Sequence, residues 1–394
     1  DRKFSWVLFL IKSIVIVGGG PVGLISAALM GLNGLHVTLL ESKPKDFDHK
    51  DSKALALSNS SVFILSRLKI WRLLEHHATA IHEIHTSQKN SFGRTLLSSK
   101  DCEEDALGYI VSYADLINAL KEKINTLSTV KILFNSEAKS LKEMNFEKSI
   151  EFTEKNATKS MLYSLLILAD GGHSKIKGLK IVREEIKLDH AALVSHLETN
   201  KKHKGRAYER FTAEGPIALL PNKHDTYTVV WTGPEKNISE LLKLDDEGLL
   251  KSIQANFGSR AGTFTKISNR KTFPLKSSRL VNINNSDVIS IGNASQVIHP
   301  VAGQGLNVGI REAFTLSSFI NDLPETPTKL NIAREFNAMR FNKSADIINI
   351  TNHLATFFSN DLVGISELRG LTLTLLDCLS PLKRRFVKKM SYGE

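Results

Sequence analysis

Residues 13–42, SIVIVGGGPVGLISAALMGLNGLHVTLLES, constrain the fold more than any other stretch. An apolar run from Ser13 to Val17 leads into three consecutive glycines and Pro21, then an apolar segment of helical length. A second apolar run follows, from His36 to Leu40. Parallel strands buried on both faces read as continuous apolar runs, so the pattern predicts a β–turn–α–β unit whose helix opens near Pro21. Gly18-x-Gly20-x-x-Gly23 lies between strand and helix, the context in which three glycines receive a dinucleotide. Gly18 would make the tight turn, Gly20 would let a pyrophosphate approach, and Gly23 would allow close helix–strand packing. The helix N-terminus favours the anion. Glu41 ends the second strand, about 20 residues on, where a carboxylate accepts from ribose hydroxyls.

The same apolar character invites a membrane reading, which the glycines exclude. Phe4 to Leu40 carries only Lys12 as a formal charge, but Gly18, Gly19, Gly20, Pro21 and Gly23 would break a spanning helix near its middle. The preceding FSWVLFLI is too short to span a bilayer. It lacks a small-residue cleavage site before Lys12, so a signal peptide is not expected.

At 394 residues, two or three packed units are expected. Hydrophobic residues make up 42% and charged residues 24%, which excludes a disordered chain. The net charge of +11 favours anionic surfaces, nucleic acid or acidic lipid, although most of it is spread along the chain. No nucleic-acid module is recognised, so nucleic acid is not expected as a partner. The two cysteines, Cys102 and Cys378, are far apart and in no metal-ligand spacing, consistent with a reduced cytoplasmic compartment. No metal is expected.

Further along, Val62, Ile64, Leu65, Leu68 and Leu73 suggest one amphipathic helix over 61–75, and Leu116 to Ile124 another. SLLILADGG (164–172) reads as a buried strand ending in a turn. From about residue 181, AALVSHL, RAYERF, PIALL and TYTVVWT are short strand-like runs broken by polar or Gly/Pro turns, an antiparallel pattern. Leu249, Leu250, Ile253 and Phe257 mark one helical face. SDVISIGNAS (286–295) returns to the buried-strand texture, and beyond Pro324 and Pro327 the pattern is mostly helical.

The predicted fold is therefore α/β: a Rossmann-like cofactor domain, an antiparallel-sheet substrate domain inserted into it, and a C-terminal helical segment. The expected division gives 13–75, 101–180 and 275–325 to the cofactor domain. It gives 76–100 and 181–274 to the substrate domain, and 326–394 to the C-terminal segment with its basic tail.

Two later strand-to-turn sites match the first. ADGGHSKIK (169–177) is either a simple Asp-Gly turn or a place where Asp170 and Gly171 meet a ligand at a strand's carboxyl end. SIGNASQVIHPVAGQGLNVG (290–309) follows a strand with Gly292-Asn293, His299-Pro300 and three glycines within seven residues. Three such sites suit one long ligand lying across the sheet, and flavin adenine dinucleotide fits better than a second, separate nucleotide.

GGGPVG, DSKALALS (51–58), ADGGHSK, GRAYERFTAEGPIALLP (205–221) and GNASQVIHPVAGQGLNVGIRE (292–312) together resemble the FAD-dependent aromatic hydroxylases of ubiquinone biosynthesis. FFSNDL (357–362) and CLSPLKRRF (378–386) extend the match to the end of the chain. Gly292-Asn293 stands where most flavin hydroxylases have Gly-Asp, and Gln296 where they have histidine. Both resemble the 2-polyprenyl-6-methoxyphenol hydroxylase branch. Lys53 and Lys177 replace family arginines, giving up a planar fork for a point charge.

The resemblance implies FAD held by Gly18, Gly20, Gly23, Glu41, Lys53, Asp170, Gly171, Gly292 and Asn293. Pro300, Gly303, Gln304, Gly305 and Asn307 would lie along the flavin ring, with a helix starting near Gly305 and His299 in a positioning role. It implies that NADH or NADPH reduces FAD, that oxygen adds to form a flavin hydroperoxide, and that a hydroxyl passes to a polyprenyl phenol. It names no side chain as acid or base. The alternatives are hydroxylation of another ring position or another phenol, or a flavin-bearing scaffold in a ubiquinone-synthesis complex. Lys383, Arg384, Arg385, Lys388 and Lys389 surround Phe386, Val387 and Met390. This cluster is a solvated tail or a peripheral contact at the inner face of the cytoplasmic membrane, where such a substrate dissolves.

Overall fold

In the computed structural model, residues 13–47, 53–90, 93–145, 147–173, 175–297, 304–323, 332–340, 384, 385, 387 and 388 are described. His299, Pro300, Gly303, Lys383, Lys389 and Cys378 lie outside them, as does most of the C-terminal segment.

The apolar runs of the N-terminal unit become adjacent parallel strands. These are β1 (Ile14–Val17) and β2 (Val37–Leu40), joined through helix α1 (Pro21–Leu32). Downstream come β3 (Ala54–Leu57), α2 (Asn59–Arg67), the short α3 (Trp71–Leu74), β4 (Thr79–Ile81), β5 (Glu83–Gln88) and β6 (Arg94–Ser98). Then follow β7 (Gly108–Ser112), α4 (Tyr113–Asn125), β8 (Val130–Leu133), β9 (Ser136–Met144), β10 (Glu147–Glu154), β11 (Ala157–Leu162) and β12 (Leu165–Leu168). The central part holds β13 (Ile181–Thr199), β14 (Arg206–Phe211), β15 (Ile217–Pro221), β16 (Thr226–Pro234), α5 (Glu235–Lys243) and α6 (Asp246–Phe257). The chain closes with β17 (Phe264–Ile283), β18 (Val288–Ser290), β19 (Gln296–Val297), α7 (Gln304–Asn321) and α8 (332–340).

Two sheets organise these elements. The first is parallel, in the order β18-β12-β1-β2-β8. Its strands alternate between two cores, which is why they carry almost no polar residues. Ile14, Ile16, Leu39, Leu165 and Ile167 pack with α1, α2, α4 and α7. Val15, Val17, Leu40, Leu166 and Leu168 face Ile150 and Phe152 of the β9–β10–β11 meander. A small antiparallel sheet, β3-β7-β4, lies beside it.

The second large sheet has eight strands in the order β19-β17-β13-β16-β15-β14-β5-β6. It is antiparallel except where β14 meets β5 in parallel. One face is fully closed: Leu193, Ile217, Leu219, Tyr227, Val229 and Trp231 are at most 1% exposed and pack with Leu249, Ile253 and Phe257 of α6. Asp245 caps α6 by accepting from the Gly248 N–H at 2.7 Å.

The structure departs from the sequence expectation in two places. The single helix expected over 61–75 is broken, because Lys69 takes a left-handed φ of 60°. The Ile70 N–H donates to Leu65 O and the Lys69 N–H to Ser66 O, a Schellman end. The reversal lets Leu68 and Ile70, two residues apart, both reach the core at 0% exposure. The run read as AALVSHL is only part of β13, which is 19 residues long and pairs with the 20-residue β17. Charged residues on its first half, such as Arg183, Glu184 and Glu185, hide the strand from a hydrophobicity reading.

Candidate cofactor site

The carboxyl ends of β1, β2 and β12 open on one cleft of ≈ 700 Å³. Ligands of open parallel sheets collect at such ends. Gly18 and Gly20 line the cleft from the first turn, and Glu41 and Lys53 from beside it. Asp170 and Gly171 line it from the end of β12, and Asn293 and Gly305 from the third strand-to-turn site. All three segments singled out in the sequence therefore meet in one place.

The three glycines of the first turn separate by what a side chain would strike. Gly18 has φ +109°, and a Cβ there would lie 2.6 Å from the Ala169 carbonyl oxygen. A Cβ on Gly23 would collide with the Gly18 carbonyl oxygen. Both glycines are required by the protein's own packing. Gly20 is different: its backbone is extended at φ −71°, and a Cβ would meet nothing within 4 Å. Nothing in the described protein requires a glycine at that position, whereas a group seated against it would. Gly20 is also the N-cap of α1, which has no side-chain cap and begins with Pro21. That terminus carries the partial positive charge of the helix into the cleft. This space and this polarity fit a pyrophosphate.

Glu41 is fixed at the edge of β2 by two backbone donors. The Gly19 N–H reaches its Oε2 at 2.7 Å and the Lys43 N–H reaches its Oε1 at 2.8 Å. The Ser42 hydroxyl also donates to Oε1, at 3.4 Å, and a carboxylate has about four acceptor sites, so one remains for a hydroxyl donor. Asp170 makes the turn, its Oδ1 accepting from the Gly172 N–H at 3.0 Å, and the residue also lines the cleft. Lys53 Nζ lies 4.6 Å from the centre of the Phe273 ring of β17. Burial, reinforced by Lys43, pulls its pKa below the usual lysine range.

Gly23, Gly292, Gln304 and Asn307 do not line this cleft. The Gly292 N–H donates to Glu312 Oε2 at 2.7 Å, and a Cβ on Gly292 would press on Val22 at 3.2 Å. Asn307 Oδ1 accepts from the Ser58 N–H at 2.9 Å and from Ser61 Oγ at 2.7 Å, while its Nδ2 donates to Ala56 O. It thus ties α7 to the β3–α2 junction. Gln304 and Asn307 line a second, apolar cavity of ≈ 90 Å³ beside Ile81, Ile84, Leu97, Leu107 and Val387. α7 is helical from Gln304, the first residue described after Val297.

Sequence reasoning missed two residues. Tyr113 lines the cleft from the first position of α4 but belongs to no motif. Glu312, inside the quoted GIRE, is the buried centre of the α7 anchor. It accepts from the Gly292 N–H and from Gln296 Nε2, and faces Arg340 Nη1 of α8 at 3.5 Å. Burial pushes its carboxyl up to about 7, with Arg340 and the Gly292 N–H pulling the other way. A long-range partner such as Arg340 leaves no local signature.

A family model described as FAD binding domain matches residues 12–323. The chain is 25% identical over 455 residues to a mitochondrial ubiquinone biosynthesis monooxygenase of Dictyostelium discoideum, covering 98% of this chain and 92% of that one. It is 24% identical over 388 residues to a ubiquinone hydroxylase of Rhodospirillum rubrum, covering 96% and 89%. The crystal structure of p-nitrophenol 4-monooxygenase from Pseudomonas putida superimposes with a TM-score of 0.76 at 15% identity, over 96% of this chain and 97% of that one, a likeness of fold.

Two substitutions test the site. Gly20→Val fits the protein's own backbone, so the variant folds with unchanged circular dichroism but retains FAD more than about tenfold less tightly, as read by equilibrium dialysis. Arg340→Met leaves Glu312 buried without its cation and costs about 3–5 kcal/mol in urea unfolding. Adding Glu312→Gln to that variant restores part of the loss.

Proposed function

The chain belongs to the FAD binding domain family and FAD is its cofactor, and from that premise we propose that this FAD-dependent monooxygenase hydroxylates the ring of a polyprenyl phenol in ubiquinone biosynthesis. The observation that carries the proposal is the extent of the likeness. The relatives named as ubiquinone hydroxylases align over nearly the whole chain, the eight-stranded sheet included, and not over the cofactor part alone. Held by the residues of the cleft, FAD would supply the redox and oxygen chemistry of hydroxylation, with NADH or NADPH as the electron source.

The protein's part is binding, orientation and exclusion of water. In this reading the N-terminus of α1, with Gly18 and Gly20, receives the pyrophosphate, and Glu41 accepts from the ribose. Asp170 and Asn293 face the polyol, where the neutral amide both accepts and donates. The N-terminus of α7, with Gly305 in the cleft and Gln304 in the neighbouring apolar cavity, lies beside the ring and favours negative charge there. Lys53 meets the same ligand as a point charge. Pro300 and Gly303 are assigned to the ring edge by the family resemblance alone. The substrate domain is taken as 76–100 and 181–274, and the cofactor domain as 13–75, 101–180 and 275–325. The C-terminal segment, 326–394, is the third unit.

The substrate class also bears on location. No described helix is long and apolar enough to cross a membrane. Arg384, Arg385 and Lys388 are exposed, while Val387 is 5% exposed and packs with Ile81, Leu97 and Leu107. Arg384, Arg385 and Lys388 are thus held beside the small apolar cavity. In this reading the basic cluster holds a cytoplasmic enzyme at the inner face of the membrane, reversibly, at about 1 kcal/mol per basic residue.

The purified protein should release FAD on denaturation. With a short-tailed polyprenyl phenol it should consume NAD(P)H and oxygen and yield a hydroxylated ring carrying one atom from labelled oxygen. Bound FAD with no substrate-dependent oxygen uptake would instead favour the scaffold reading. Replacing Lys383, Arg384, Arg385, Lys388 and Lys389 with Gln should lower co-sedimentation with anionic vesicles and spare turnover of the water-soluble phenol; undiminished co-sedimentation marks the cluster as a solvated tail.

A further inference from the structure

The eight-stranded sheet has one face sealed by α5 and α6, and its other face is half-open. Alternation along the strands assigns residues to these faces. Tyr208 and Leu219 belong to the sealed face, so Glu209 and Ala218 belong to the other. Pairing carries the open face across the sheet in one row: Thr95, Thr86, Glu209, Ala218, Val230 and Val194. Thr86, Glu209, Ala218, Val230 and Val194 are half-buried and Thr95 is buried, whereas Tyr208, Ile217, Leu219, Val229 and Leu193 on the opposite face are all buried.

This open face looks toward the cofactor domain at both ends. Phe273, on the same face through its pairing with Ala192 and Thr232, lies under Lys53 of the cofactor cleft. Ile84, on the same face beside Ala207, lines the apolar cavity with Ala56, Gln304 and Asn307. Glu209 lies between the two, two residues beyond Ala207.

A carboxyl at that position is costly. Among the described residues, no group offers it a hydrogen bond or an ion pair, and burial pushes its pKa up to about 7. Arg206, His85 and Arg210 project from the other face, as their alternation with Glu209 requires. On its own face the nearest titratable groups are far away. His196 is three strands over and Lys271 four, roughly 14 and 19 Å at the usual strand spacing. From the cofactor domain, Lys53 faces the strip over Phe273, also four strands away, so no charged group adds to the effect of burial on Glu209.

We propose that Glu209 accepts a hydrogen bond from the ring hydroxyl of the substrate, selecting a phenol on a strip that holds no other ionisable group and fixing which ring edge is presented to the cofactor. The inference rests on the phenol reading above. The strip supplies apolar contact through Ala218, Val230 and Val194, and Glu209 is its one ionisable acceptor. A charge-assisted bond is about twice as strong as a neutral one, so the ionised form binds the hydroxyl better.

The test uses the FAD-loaded protein without nicotinamide and reads binding rather than turnover. A short-chain ortho-alkylphenol is titrated by equilibrium dialysis at about pH 6 and about pH 8, a window in which the phenol, with a pKa near 10, stays neutral. Wild type should bind about five- to tenfold more tightly at the higher pH, because the carboxyl ionises across that window. Glu209→Gln, of equal size, should keep its FAD and lose the pH dependence. The corresponding alkylbenzene, lacking the hydroxyl, should show no pH dependence with either protein. Equal affinity and an equal pH profile for wild type and Glu209→Gln overturn the inference while leaving the phenol reading intact. No binding of the phenol by wild type at either pH removes the phenol reading, and this inference with it.

Discussion

The contact on which the rest depends is the close approach of α1 to the end of β1, possible only because Gly23 has no side chain to strike the Gly18 carbonyl. That approach sets the helix N-terminus beside the carboxyl edge of the parallel sheet, where the neighbouring strands also deliver their turns. Gly18, in a conformation that L side chains rarely adopt, lets the chain pass Ala169 and Asp170 on the way. The cleft follows from this packing. The same economy recurs where α1 meets α7: Gly292 and Gly309 leave room for Val22, so the third turn closes on the first two.

Much of this was legible because the constraints are local. A tight turn, a strand edge and a helix start are each written within about six residues, and Glu41 follows at the spacing one βαβ unit imposes. The eight-stranded sheet was legible in kind but not in extent. Polar residues on the outer side of β13 mask its first half, and nothing local announces that β14 would pair in parallel with β5, more than a hundred residues away in sequence. Lys69 illustrates the limit of periodicity, since a left-handed residue reverses a helix without a glycine to mark it. Glu312 and Glu209 were invisible for a different reason. A carboxylate in a sequence looks solvated until the fold buries it, and burial is decided by segments far away.

The two buried acids show how one residue type acquires opposite characters. Glu312 is enclosed by donors: the Gly292 N–H, Gln296 and Arg340. It therefore serves as a knot between the third turn and two helices. Glu209 has no described partner and faces the half-open side of a sheet whose other side is packed solid. Burial raises both carboxyls to about 7, but for Glu312 the shift is opposed by its neighbours, whereas for Glu209 desolvation stands alone. A fold tends to pair an acid that it buries, and Glu209 is buried without a described partner.

The long paired strands β13 and β17 join the two halves of the molecule. Near one end Ile181 and Ile283, directly paired, pack into the core beneath the parallel sheet; near the other, Leu197 and Ile267 belong to the core under α6. One long ribbon thus carries backbone hydrogen bonds from one core to the other. The halves cannot slide apart as two surfaces would, because separation would tear a ladder rather than part a contact. What the ribbon permits is flexure, and its register shifts, at Val182/Arg183, Lys187/His190, Val194/His196 and Glu198/Thr199, mark where a twisted ladder bends most readily. The strip that carries Glu209 is thereby tied to the cofactor cleft by a ladder that can bend at these shifts but cannot slide.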